Sequence, residues 1–238
     1  MKPEKKTITL LKKAFLDTIP VMTGYVVLGI GFGIILKTKG YGTAWALAMS
    51  LFIYAGSLQF VVIDLLTGGV GLLTTAMTSL MVNARHLFYG ISMIDRYKGA
   101  GRKKPYLMFA LTDETYSLVC SDPVSDDPQV RKERHRYYFL VSLMNQFYWV
   151  GGSVIGGLLG EVIPFNTEGI DFALTALFVT IFTEQWLSTS DHRPALIGLG
   201  ASAACLLLFG AGSFLIPAMI VITLLLTGLR RSVEGGKG

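Results

Sequence analysis

Charged residues are scarce in this chain of 238 residues. Asp, Glu, Lys and Arg make up only 16% of it, whereas soluble domains average about 25%. Hydrophobic residues reach 52%, and the mean hydropathy is +0.54. Apolar stretches approach about 20 residues, the length that crosses the hydrocarbon core of a bilayer. The scarcity of charge excludes an ordinary soluble domain, and the sequence predicts an all-α, polytopic protein of the cell membrane.

Cysteine and histidine are also rare. Cys120 and Cys205 lie far apart in apolar sequence, so neither a disulfide framework nor a metal cluster is expected. His86, His135 and His192 are scattered without the spacing of a zinc site or of a nucleophile–base pair. We therefore predict no metal, no cofactor and no enzymatic activity. No soluble segment is long enough to form a basic face for nucleic acid.

The net charge of +5 is concentrated outside the apolar spans. Lysine and arginine collect in residues 1–13, in the loop 95–104, in the loop 121–136 and at the C-terminus, as expected for cytoplasmic segments. We predict about six to eight transmembrane helices in a single membrane domain, residues 1–238, with the polar loop 121–136 solvated and His135 on its surface. Eight full crossings would place the loop 95–104 outside, and re-entrant segments would remove that conflict.

The third span carries a stripe of polar residues. Apolar sequence runs from Val70 to Met93, and at about 100° per residue one half of this helix is polar and the other apolar. Asn83, Arg85 and His86 fall in the polar half. An arginine near the middle of a span costs at least about 2.5–3.5 kcal/mol, so it needs a partner or a water-filled cavity. Either a neighbouring carboxylate holds Arg85 permanently, or the stripe lines a pathway.

Two further spans carry polar interruptions. The second span, residues 43–65, holds Gln59 near its middle. The fourth apolar segment, residues 106–120, would be only about 22 Å long as a helix, shorter than the hydrocarbon core of about 30 Å. Asp113 and Glu114 stand within it between two threonines, and four consecutive polar residues cannot share one helix face. Either the helix breaks at a cavity, or the two acids cap a helix that begins there.

The chain also resembles itself. Residues 50–60 align without gaps on residues 176–186, which matches Gln59 with Gln185 and places Glu184 beside it. Duplicated halves are common in transporters, with binding sites at the repeat interface. Chance similarity between hydrophobic helices is the alternative. The predicted halves are residues 14–94 and 137–210.

Four short blocks follow one another along the chain. They are Gly29-Ile-Gly-Phe-Gly33, Tyr54-Ala-Gly-Ser-Leu-Gln59-Phe60, Asn83-Ala-Arg85-His86-Leu-Phe-Tyr89-Gly90 and Leu111-Thr112-Asp113-Glu114-Thr115. In this order and spacing they resemble the AzlC family of branched-chain amino-acid exporters, over about residues 12–230. The resemblance implies the larger subunit of a two-component exporter, working with a small AzlD-like membrane protein. It implies proton-driven efflux of leucine, isoleucine, valine or related apolar amino acids such as methionine.

The chemistry of an amino-acid zwitterion suggests roles for the polar residues. Its carboxylate needs an arginine or a helix N-terminus, and its ammonium group needs a carboxylate or carbonyl oxygens. The predicted substrate-binding residues are Arg85, Asn83, Gln59, Gln185 and Asp113. The predicted carriers of the exchanged proton are Glu114, Glu184 and His86. A structural or assembly subunit of a membrane complex and a passive channel are the alternative functions.

Overall fold

The computed structural model is helical throughout the part of the chain that it describes. That part contains ten α-helices and one 3-10 helix and no strand, which confirms the all-α class. The chain divides into two compact units, Met1–Thr167 and Glu168–Gly238. The described residues are 3–162 except 124 and 126, then 179, 182, 183, 186, 187, 189–210 and 214–234.

The first unit contains eight of these α-helices. They are α1 (Pro3–Thr38), α2 (Thr43–Phe52), α3 (Gly56–Thr67), α4 (Leu72–Val82), α5 (Ala84–Ser92), α6 (Lys104–Phe109), α7 (Asp113–Val119) and α8 (Pro128–Val162), with the 3-10 helix Gly101–Lys103 before α6.

The long helices α1 and α8 pack side by side and run in the same direction. Near their beginnings the Lys13 ammonium group lies 4.5 Å from the centre of the Tyr137 ring. Near their ends Lys37 Nζ lies 3.2 Å from Glu161 Oε1. Because both pairs are separated by the same number of residues along the chain, the two helices stay in register over their shared length.

Glycines allow the backbones of α1 and α8 to touch. A Cβ added to Gly152 would lie 2.7 Å from the carbonyl oxygen of Val26. A Cβ on Gly33 or Gly156 would overlap backbone atoms of the facing helix. Small residues at these positions favour helix association in lipid, where burial of apolar surface supplies no driving force.

Three breaks interrupt the remaining helices of this unit. Tyr54, with φ +43°, separates α2 from α3, and Asn83 separates α4 from α5. The third break lies between α6 and α7. Thr112 is the N-cap of α7, and its Oγ1 accepts a hydrogen bond from the Thr115 backbone nitrogen at 3.3 Å. The predicted interruption of the fourth segment is confirmed. The second and third spans are also broken, since each is divided into two short helices.

The start of α8 also differs from the prediction. The helix begins at Pro128, so much of the predicted loop 121–136 is helical. The prediction of a surface His135 is wrong, since this residue is only 5% exposed. Its Nε2 donates a hydrogen bond to the carbonyl oxygen of Arg96 at 2.9 Å. Arginine and lysine are good helix formers, so the basic segment continues α8 beyond the apolar span.

Helix lengths explain why the helices outnumber the predicted spans. Among the described residues only α1, over Ile8–Thr38, is long and apolar enough to cross a membrane alone by length and composition. The apolar helices α2, α3 and α4 have 10–12 residues each. Two predicted spans are therefore each built from two short helices joined at a break.

A cluster of buried apolar side chains lies where α1, α6, α7 and α8 meet the turn after α5. Its members include Ala14, Tyr97, Leu107, Val119 and Tyr138. This cluster holds the start of α7, and therefore Asp113 and Glu114, against the long helix pair.

The second unit is described by two helices. They are α9 (Arg193–Phe209) and α10 (Leu215–Glu234), which pack against each other. Cys205 is buried as a free thiol.

Candidate functional site

An ion pair lies at the centre of the candidate site. Arg85 Nη1 is 2.5 Å from Asp113 Oδ2, and each side chain is 33% exposed. Arg85 Nη2 donates a hydrogen bond to Ser57 Oγ at 2.9 Å. The structure thus brings together two of the predicted substrate-binding residues and adds Ser57. A charged pair that keeps some access to the surroundings can exchange its partner more readily than a fully buried one.

The three side chains of this group follow directly after the three helix breaks. Ser57 is the second residue of α3, Arg85 is the second of α5, and Asp113 is the first of α7. The contacts therefore bring the N-terminal ends of these helices together. Free backbone N–H groups at a helix N-terminus favour negative charge. Broken helices are tolerated inside membranes where they line a cavity or lie within protein.

Glu114 points to a different set of partners from its neighbour Asp113. Tyr25 Oη donates to Glu114 Oε2 at 2.6 Å and lies 2.7 Å from Thr112 Oγ1. Thr112 Oγ1 lies 3.1 Å from Thr115 Oγ1, and Asn145 Nδ2 donates to Thr115 Oγ1 at 3.0 Å. This network connects α7 to both long helices.

Gln59 lies in a third polar group and is completely buried. Its Oε1 accepts from Trp149 Nε1 at 2.8 Å, and its Nε2 donates to Ser50 Oγ at 3.2 Å. The Trp149 ring packs edge-on against Tyr25 with 5.5 Å between ring centres. Gln59 is therefore joined to the Glu114 network through two aromatic side chains, with both ends of its amide engaged.

Several buried polar atoms at this centre have no hydrogen-bond partner within the described residues. Buried polar groups nearly always have partners, and an unsatisfied one costs about 1–3 kcal/mol. Four of the six atoms belong to the ion pair or to residues within two positions of Arg85, which indicates a place for water or a polar ligand there. The atoms are Tyr54 Oη, Asn83 Oδ1, Arg85 Nε, His86 Nδ1, Asp113 Oδ1 and Asn145 Oδ1.

The polar stripe of the third span faces the protein across the break at Asn83. Thr78 is buried, and Asn83, Arg85 and His86 are half-buried. The His86 ring lies 5.9 Å from that of Tyr89. The apolar half of the same segment is exposed on the chain surface, where lipid can cover it. Its exposed residues include Leu73, Leu80, Leu87, Phe88 and Ile91.

Two predicted site residues lie outside the described part of the chain, and three residues of the site were not predicted. Glu184 and Gln185 lie outside the described residues, so their roles stay predictions. Sequence reasoning missed Tyr25, Ser57 and Asn145 as members of the site. Each is a polar side chain within a predicted apolar span, which was the signal available, although such residues also serve as ordinary helix contacts.

Together these features define a class of protein: a helical membrane protein whose broken helices surround a charged centre, an arrangement common among transporters. Residues 20–163 match the family described as AzlC protein. The chain belongs to this family.

Relatives from several bacteria cover nearly the whole chain. The chain is 45% identical over 223 residues, 94% of its length, to 86% of a protein of Bacillus subtilis (strain 168) named branched-chain amino acid transport protein AzlC. It is 40% identical to a membrane protein of Helicobacter pylori (strain ATCC 700392 / 26695), covering 94% of this chain and 96% of the relative. A Haemophilus influenzae membrane protein is also 40% identical, over 91% of this chain and 87% of the relative. No solved structure matches. These relatives establish a membrane protein and support a transport role.

Proposed function

We propose that the chain exports branched-chain amino acids, and related apolar amino acids such as methionine, across the cell membrane. The observation that carries this proposal is the Arg85–Asp113 ion pair at the meeting point of three helix breaks, beside buried polar atoms that lack partners. Similarity to a relative named for branched-chain amino-acid transport supports the substrate class.

The ion pair suits a zwitterionic substrate. A free amino acid carries a carboxylate and an ammonium group, the same two charges that Arg85 and Asp113 present to each other. The substrate can separate the pair by placing its carboxylate on Arg85 and its ammonium group on Asp113. Each half-buried charge then keeps a partner, which avoids the cost of leaving one unpaired. Asn83 and Ser57 lie where they can complete the polar contacts.

Proton coupling belongs to the same proposal, with Glu114 as the carrier. Glu114 is next to Asp113 in sequence but bonds to Tyr25 and the Thr112 network instead of Arg85. A carboxyl group that is separate from the substrate charges can change protonation without removing the substrate's partners. His86 and Glu184 are the other proposed carriers. A small AzlD-like membrane protein is the proposed partner.

Efflux of preloaded leucine tests the proposal. Cells that express the chain with and without the small partner are compared, each with and without an uncoupler. We expect efflux that requires both proteins and stops when the proton gradient collapses. Efflux that continues unchanged with the uncoupler would indicate a passive channel. Absence of efflux with the partner present would contradict the exporter and favour an assembly subunit.

A further inference from the structure

A basic cleft lies outside the candidate transport site. It has a volume of about 540 Å³ and lies between the loop after α5 and the first turns of α8. Its described lining includes five cationic side chains and no carboxylate. The cations are Lys98, Lys103, Arg131, Lys132 and Arg136.

The five cations lie around one cleft whose described lining includes no carboxylate. Glu133 follows Lys132 on α8 and lines a second, smaller cavity beside this one together with Lys132 and Arg136. Burial, together with the charges of Arg136 and Lys132, lowers the pKa of Lys103 below its ordinary value. Like charges held this close create a positive potential, and such a potential attracts an anion.

The cleft is fixed in shape by contacts beneath it. His135 is buried and donates to the carbonyl oxygen of Arg96 at 2.9 Å, which ties α8 to the loop after α5. Arg96 Nε in turn donates to the carbonyl oxygen of Asp122 at 2.9 Å. The Lys103 ammonium group lies 5.3 Å from the centre of the Phe139 ring. The positive charges therefore converge on a preformed cavity and do not merely share a flexible surface.

The surroundings of the cleft place it at the level of lipid headgroups. The loop follows the exposed apolar residues Ile91 and Ile94. Directly after Lys103, helix α6 leads to the exposed Met108 and Phe109. Exposed apolar side chains a few residues from a basic loop mark the boundary between hydrocarbon and headgroups. Basic pockets at this depth suit phosphate-bearing headgroups.

We infer that this cleft is a binding site for a phosphate group at the membrane surface, contributed by the headgroup of an anionic phospholipid or by a free phosphate. Several ammonium and guanidinium groups directed at one cavity can contact the oxygens of a single phosphate group. The site is independent of the proposed export function, because it uses none of the residues around Arg85.

Thermal unfolding of the purified full-length chain in neutral detergent micelles tests the inference. Phosphatidylglycerol is compared with phosphatidylcholine at the same mole fraction, and inorganic phosphate is a separate arm. The cleft variant carries both Lys132→Gln and Arg136→Gln. The control variant carries both Arg102→Gln and Lys104→Gln, which removes the same charge from nearby positions outside the cleft. If this cleft variant does not fold, a second cleft variant that carries both Lys98→Gln and Arg131→Gln replaces it.

We expect phosphatidylglycerol, but not phosphatidylcholine, to raise the unfolding temperature of the native chain and of the control. Loss of two cations should weaken binding on the order of 10- to 30-fold, so the cleft variant should lose most of the shift. The same pattern with inorganic phosphate alone would support the site with a soluble ligand as its source. An equal shift in all three proteins, or no shift in the native chain, would overturn the inference.

Discussion

At the scale of single residues, Asp113 and Glu114 differ although they are neighbours. Asp113 contacts Arg85, and Glu114 accepts from Tyr25. Successive residues on a helix point about 100° apart, so the two carboxylates face different partners. Pairing of Arg85 with one of these acids is one alternative that the sequence allows, but it does not indicate which acid, because that depends on where α5 lies against α7.

The separate environment of Glu114 leads to a prediction. Glu114→Gln should preserve the fold, because the amide oxygen can still accept from Tyr25. Leucine efflux should then lose its response to the proton gradient, because the amide cannot carry the proton. Efflux is measured from loaded cells at two external pH values.

The matched control for this change is Tyr25→Phe. It removes the phenol that bonds to Glu114 and Thr112 but leaves the carboxylate, so it should cost about 1 kcal/mol of stability and keep the proton response. A Glu114→Gln protein whose efflux still follows the gradient would assign coupling to another group.

At the scale of elements, the sequence predicts some helix breaks and not others. The interruption before Asp113 is visible in the sequence because four consecutive polar residues cannot all avoid lipid on one helix face. The break at Tyr54 gives no such signal. A tyrosine with φ +43° is uncommon, and its conformation is imposed by packing around it, including the ring of Phe109 at 6.1 Å between ring centres. Tertiary contacts of this kind cannot be derived from local pattern.

The close contact between α1 and α8 is easier to predict from the sequence than the break at Tyr54. Gly29 and Gly33 form a small-xxx-small pair, the pattern that predicts close helix packing in membranes, and both face α8. The sequence does not indicate which glycines of α8 meet this pair, since Gly152, Gly156 and Gly157 offer similar surfaces.

This contact predicts a sharp difference between neighbouring glycines. Gly33→Ala should destabilise the protein by about 1–3 kcal/mol, because its methyl group would overlap the Ser153 backbone. Gly31→Ala is the matched control on the same helix, since nothing lies within 4 Å of its added Cβ. It should be neutral or stabilise by up to about 1 kcal/mol. Thermal unfolding in detergent measures both, and equal effects would contradict the packing described for α1 and α8.

At the scale of the whole first unit, the basic segments lie at one end. Lys98 and Lys103 line the same cleft as Arg131 and Arg136, so we expect the loop after α5 and the start of α8 to lie on the same side of the membrane. On this arrangement the short helices between these segments need no extra crossing, so the conflict raised by eight full crossings would not arise. The sequence could not decide this, since span counting assumes that each apolar segment crosses completely.

Sidedness can be measured with introduced cysteines in a background without Cys120 and Cys205. Arg102→Cys and Gln129→Cys should both react with a membrane-impermeant maleimide only from the cytoplasmic side. Gly42→Cys, between α1 and α2, should react from the opposite side. Labelling of the first two positions from different sides would contradict the arrangement.

The parallel course of α1 and α8 also bears on the predicted repeat. These helices begin the two predicted halves, 14–94 and 137–210. Halves related by an axis along the membrane normal have parallel equivalent helices, whereas inverted halves have antiparallel ones. If the repeat holds, the direction of α1 and α8 favours the parallel kind.

The most direct test of the central claim concerns the Arg85–Asp113 pair. Leucine efflux and thermal unfolding are measured for the native chain, Arg85→Ala, Asp113→Ala and the double variant, at matched membrane levels with the small partner present. Each single variant leaves a charge without its partner and should be less stable, and the double variant should recover stability. We expect all three variants to lose efflux on the order of 10- to 100-fold, because the substrate loses a charge-assisted contact. A double variant that regains both stability and native efflux would contradict the account and make the pair a structural link only.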